Sequence, residues 1–189
     1  MADATAPGGL GTFGWDDEGV AAQSVPLVRG GVFVGYLSSR ETAPRIGRRS
    51  GGAMRADGWN RIPLIRMTNV NLLPQPGMRL ADIIADTDDG LYLVTNRSWS
   101  IDDRRLNFQF ATELAYEITG GKLGRLYRNP TYTGITPEFW GRCDAVADAS
   151  SYVMLATPNC GKGEPSQGAH VGHGCSGARF REVQVGVMG

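Results

Sequence analysis

Four side chains near the C-terminus concentrate the thiolate and imidazole chemistry of this 189-residue chain. Cys160, His170, His173 and Cys175 form the pattern Cys-x9-His-x2-His-x-Cys, and both histidines of the chain lie in it. Thiolate and imidazole are good zinc ligands, so a local structural site built on His170, His173 and Cys175 with Cys160 is one reading. The spacing departs from the usual zinc modules, which open with a tight Cys pair and separate their histidines by three to five residues. A Cys–His nucleophile is a second reading, because Lys162 stands two residues after Cys160 and a nearby cation favours thiolate. Gly161-Lys162-Gly163 lacks the Ser or Thr of a phosphate-binding loop. The bland alternative is an exposed Gly-rich loop over 158–178 whose His and Cys have separate duties.

The elements that must position these groups are short. Twenty-seven Gly and 10 Pro punctuate the chain densely, which favours strands and turns over long helices. Apolar runs at 24–28 and 32–37 flank Arg29-Gly30-Gly31 as a hairpin. Residues 63–73 read as a buried strand, and a further strand opens at Gly90. A second hairpin turns at Thr119-Gly120-Gly121-Lys122. Ser151 to Leu155 and Phe180 to Val187 read as strands. Apolar spacing at Leu80, Ile83 and Ile84 predicts a short helix near 79–86. Thr136-Pro137 predicts a helix start, with Thr136 as N-cap and Cys143 inside a helix over 137–146. The fold class expected is α+β and β-rich, mostly antiparallel sheet, sandwich- or barrel-like, with a few short helices. Residues 1–14 read as a flexible lead-in and 15–189 as one domain.

Composition excludes several classes. Hydrophobic residues make up 41% and charged residues 20%, so the chain is globular. Nineteen basic residues balance 19 acidic ones, which argues against a nucleic-acid coat. The arginines at 45, 48, 49, 55, 61 and 66 face one acid, Asp57, within 45–66. They read as a solvated loop with internal ion pairs in preference to a phosphate-binding surface. No apolar run approaches a bilayer span, and the N-terminus has no signal-peptide pattern. Three cysteines fit a reducing cytoplasm better than a disulfide scaffold.

Several segments, in order, carry a resemblance. They are Asp16-Asp17-Glu18-Gly19, Gly35-Tyr36-Leu37, Arg66-Met67-Thr68-Asn69, Asp89-Gly90-Leu91-Tyr92 and Asn159-Cys160-Gly161-Lys162, then Gln167 and Ala178-Arg179-Phe180. This order resembles the C-terminal half of the TldD/PmbA family, zinc metalloproteases once called modulators of DNA gyrase. The resemblance implies a peptide substrate, cytoplasmic location, and homodimers or heterodimers with a TldD/PmbA-type chain. It implies that Cys160 is a zinc ligand on the TldD-like side. In that family the other ligands and the general base come from His-Glu-x-x-x-His in a preceding region, and this sequence has no His before His170. No catalytic residue is therefore expected in this chain, and the isolated chain is expected to be inactive. Arg66, Thr68, Asn69 and Lys162 are expected near the substrate cleft, contacting substrate or orienting the loop around Cys160. The alternative reading is a non-catalytic partner or scaffold subunit of a TldD/PmbA-type complex.

Overall fold

The computed structural model describes residues 1–163 and 165–187. In chain order its first strands are β1 (Ala2–Asp3), β2 (Ser24–Val25), β3 (Val28–Arg29), β4 (Val32–Phe33), β5 (Met54–Arg55) and β6 (Leu64–Ile65). Helix α1 (Leu80–Ala85) precedes β7 (Asp89–Ile101), β8 (Asn107–Thr119), β9 (Lys122–Arg128) and β10 (Pro130–Ile135). Helix α2 (Thr136–Gly141) leads to β11 (Cys143–Val146), β12 (Val153–Lys162), β13 (Gln167–Cys175), β14 (Ala178–Phe180) and β15 (Gln184–Val187). Strand predominates and all strand pairs are antiparallel, so the fold is the β-rich α+β class expected. No barrel closes among the described residues. β8 is flanked by β7 on one side and by β10 and β9 on the other, β15 pairs with the far edge of β10, and the remaining strands form separate two-stranded ribbons.

The chain divides into two compact units, Met1–Leu73 with Tyr152–Cys175, and Pro74–Ser151 with Ser176–Gly189. In the first, residues 1–14, expected as a flexible lead-in, carry β1, which pairs with β2. Ala2 and Ala4 are buried there. The hairpin at Arg29-Gly30-Gly31 forms, but only Val28–Arg29 and Val32–Phe33 pair across it. The 158–178 segment is not the expected loop. β12 and β13 form an antiparallel hairpin from Val153 opposite Cys175 to Lys162 opposite Gln167, with a bulge between Thr157 and Cys160.

In the second unit, α1 falls where the periodicity placed it, and Asp82 accepts a hydrogen bond from the Arg79 backbone N–H at 2.9 Å. α2 ends at Gly141, with Ile135 rather than Thr136 at the cap. Cys143 therefore lies in a strand, opposite Phe180, where its neighbours offer cross-strand bonds that a longer helix would forgo. An aromatic cluster holds α2 to the sheet: Phe139 stacks on Phe180 at 4.0 Å, and Phe110 meets Tyr132 at 5.5 Å. Arg179 bonds Asp144 at 2.9 Å and Asp86 at 3.0 Å, and Arg181 bonds Asp144 at 2.6 Å.

Two substitutions test the turn into β9. Gly120 and Gly121 both have positive φ, but a Cβ on Gly120 meets open space, whereas one on Gly121 overlaps the Ala85 carbonyl. Gly120→Ala should cost about 1 kcal/mol and Gly121→Ala at least about 2 kcal/mol by urea denaturation. Equal losses would contradict this packing.

The Arg179 hydrogen bond, aided by Arg181, holds the Asp144 carboxyl below the usual carboxylate range. A depressed carboxyl stabilises the fold above its ordinary pKa, and that contribution disappears as pH falls through the depressed value. Asp144→Asn should therefore lower the urea midpoint at neutral pH, and the gap should close below about pH 4. A gap that persists undiminished in strong acid would exclude the ion pair as its source.

Candidate functional site

The β12–β13 hairpin carries Cys160, Lys162, His170, His173 and Cys175. Its β13 edge meets residues 69–72, through parallel bridges between Asn69 and Gly172 and between Leu72 and Cys175. The outer edge of β12, which bears Cys160, pairs with no strand among the described residues.

Arg66 fixes the hairpin near its tip. Arg66 is 3% exposed, and its guanidinium donates to the Gln167 carbonyl at 2.8 Å and again to the Cys160 carbonyl. No carboxylate lies within salt-bridge reach of Arg66 among the described residues, so backbone carbonyls alone receive this buried charge. The planar fork suits two carbonyls at once, which a lysine cannot reproduce. Arg55 adds a second strap, donating to Met67 O at 2.8 Å and His170 O at 2.7 Å, with its guanidinium over the Phe13 ring. Burial, and then the charge of Arg66, push the Arg55 pKa down, while Asp17 and Cys160 oppose that shift. Lys162 Nζ donates to the Ile65 carbonyl at 2.7 Å.

Asn69 is fully buried and satisfied on both ends of its carboxamide. Its Nδ2 donates to Asp3 O at 2.7 Å and Thr12 Oγ1 at 2.9 Å, and its Oδ1 accepts from Gly11 N at 2.9 Å. A Cβ at Gly9 or Gly172 would overlap this side chain, so both glycines are needed for close approach. Thr68 is 2% exposed, and its Oγ1 has no hydrogen-bond partner among the described residues.

Arg66, Thr68 and Asn69 thus lie beneath the hairpin, where they hold its backbone in place and expose little surface to a substrate. Cys160 is half-buried beside Gly161, and Lys162 is exposed. The local metal reading is not assembled. His170 and His173 are three apart in one strand and so face opposite ways. His173 Nδ1 lies 3.4 Å from Val70 O, and His170 is exposed. No three His, Cys, Asp or Glu side chains stand together as a metal group among the described residues. Cys160 is a free, half-buried thiol. Cys143 is half-buried, and burial pushes its thiol up, as for a small hydrophobe.

Sequence reasoning missed Asp57 and Asn71. Asp57 accepts from Gly168 N at 3.1 Å, and Asn71 Oδ1 accepts from Gly174 N at 2.7 Å. The signal for Asn71 was its spacing from Asn69: two carboxamides at i and i+2 share one side of an extended run.

This β-rich fold, with a strapped hairpin that carries Cys160 and Cys175, has counterparts among metallopeptidase domains. Residues 1–186 match the C-terminal domain of PmbA/TldA metallopeptidases, and the chain belongs to this family. It is 32% identical over 173 residues to a metalloprotease of Methanocaldococcus jannaschii, covering 92% of this chain and 37% of that protein. Against a TldD-homologue metalloprotease of Haemophilus influenzae, identity is 30% over 184 residues, covering 97% and 37%. A solved structure from Thermotoga maritima, described as a modulator of a DNA gyrase, superposes with TM-score 0.73 at 17% identity, covering 98% of this chain and 38% of that one. TldE from Thermococcus kodakarensis gives TM-score 0.62 at 20% identity, covering 88% and 36%. The two structures share the fold. The chain spans 37% of the length of these two curated relatives.

Removing the Arg66 guanidinium strands one buried and one partly buried carbonyl, so Arg66→Met should cost about 2–4 kcal/mol in urea denaturation. Thr68→Val deletes the unpartnered hydroxyl at constant shape and should be neutral or stabilising by about 1 kcal/mol. A large loss from Thr68→Val would show that this hydroxyl has a partner.

Proposed function

We propose that this chain is the C-terminal part of a TldD-like zinc metalloprotease acting on peptides, with Cys160 as a metal ligand and the β12–β13 hairpin as one wall of the substrate cleft. The observation that carries this reading is the way Arg66 clamps the Cys160 and Gln167 carbonyls, so that the half-buried thiol sits on a fixed backbone. Gly161 adds no side chain beside it, and Lys162 is tied to Ile65, which leaves the thiol approachable. Zinc held by protein ligands would supply Lewis-acid activation of water near neutral pH. Cys160 provides one such ligand. The others, and the general base, come from a region carrying His-Glu-x-x-x-His in the remaining length of the relatives or in a partner chain. A homodimer, or a heterodimer with a TldD/PmbA-type chain, suits that requirement. Arg66, Thr68 and Asn69 act here as positioning residues. The free thiols among the described residues suit a reducing cytoplasm, and no described helix is long and apolar enough to cross a membrane.

A second reading, the non-catalytic partner or scaffold subunit, draws on the absence of a three-ligand group among the described residues. Metal analysis and peptide cleavage separate the two readings. The chain alone should neither hold stoichiometric zinc nor show chelator-sensitive proteolysis. Joined with a region bearing His-Glu-x-x-x-His, it should do both. Cys160→Ala should lose zinc and cleavage together, and Cys143→Ala and Cys175→Ala should keep both. A Cys160→Ala complex with normal zinc and cleavage would contradict the ligand assignment. Zinc bound by the isolated chain and lost in His173→Ala would favour the local site instead.

A further inference from the structure

The segment between β5 and β6 presents two large apolar side chains to solvent: Trp59 is 98% exposed and Ile62 is 81% exposed. Loops that show such groups are usually mobile, but this one is stapled at both ends to the hairpin that carries Cys160. Asp57 N donates to Gln167 Oε1 at 3.0 Å, and Asp57 Oδ2 accepts from Gly168 N at 3.1 Å. Gln167 Nε2 donates to Ile62 O at 2.8 Å, and Arg61 donates to Ser166 O at 2.9 Å. Arg61 N closes a turn onto Gly58 O at 3.0 Å. Gln167 stands opposite Lys162 and Gly168 opposite Gly161, so the staples fix the loop to the residues that follow Cys160.

A fully hydrated indole on a fixed backbone pays little ordering cost when it is covered, which is the property of a pre-organised contact. The patch is small. Two such side chains expose a few hundred Å² at most, short of the roughly 800 Å² that each partner buries in a stable protein interface. Its flanks, Asp57, Asn60 and Arg61, are polar. That size fits one side chain of a peptide.

We propose that Trp59 and Ile62 form an apolar subsite that selects a large aliphatic or aromatic side chain in the peptide handled beside Cys160. This inference rests on the peptide-cleaving role argued above, but its test needs neither metal nor cleavage. Tryptophan indole N–H signals of the chain are recorded by NMR, the Trp59 signal being assigned with Trp59→Phe. The chain is titrated with end-blocked Gly-Ser-Ser-Phe-Ser-Ser-Gly and with the same peptide bearing Ser for Phe. The Trp59 signal should shift saturably with the Phe peptide alone, while those of Trp15, Trp99 and Trp140 stay in place and report an intact fold. Ile62→Ser should weaken binding about tenfold, and Cys143→Ala should leave it unchanged. A Trp59 signal that ignores the Phe peptide, answers both peptides equally, or is unaffected by Ile62→Ser overturns the subsite. So does a Trp59 signal that moves with protein concentration without peptide, since a second copy would then be the occupant. If binding behaves as expected but Cys160→Ala keeps zinc and cleavage in the joined protein, the ligand assignment fails and the subsite stands.

Discussion

The carboxamide of Asn69 sits at the junction on which the first unit depends. It is fully buried, and its three hydrogen bonds reach Asp3, Gly11 and Thr12, while its backbone forms a parallel bridge with Gly172 of β13. The N-terminal segment and the β12–β13 hairpin therefore share one buried polar anchor. A buried amide is costly unless every donor and acceptor is matched. Matching it forces glycine at the positions where the chain passes closest and orders a segment that would otherwise fray.

Arg66 extends the same logic toward the hairpin tip. Its charge is received by carbonyls rather than by an acid, so the energy of the contact is tied to backbone position. A hairpin held this way offers Cys160 in a set direction. Asp57, Arg61 and Gln167 carry that rigidity outward to the loop bearing Trp59 and Ile62. Apolar recognition and a metal ligand thus share one polar framework in the proposed function.

Local signals were legible where they acted locally. The spacing of Leu80, Ile83 and Ile84 located α1, and Gly120-Gly121 marked the turn between β8 and β9. The order of short motifs identified the family, which residues 1–186 match. Long-range demands were hidden. Gly172 and Gly174 look like loop residues, but they lie in a strand because Asn69 and Tyr152 occupy the space a Cβ would need. Arg66 sits in an arginine-rich stretch that suggests solvent, and its partners are about a hundred residues away. Cys143 follows a helical signal that ends early because β11 pairs with β14. Each miss is tertiary context overriding a local preference.

The central claim is that Cys160 enters a metal centre as a thiolate. Cobalt(II) substituted for zinc in the joined protein reports this directly, because thiolate ligation produces an intense ligand-to-metal charge-transfer band in the near ultraviolet that nitrogen and oxygen ligands do not. The account predicts that band in the parent and its loss in Cys160→Ser. A cobalt-loaded protein without the band, or one that keeps it after Cys160→Ser, would contradict the claim.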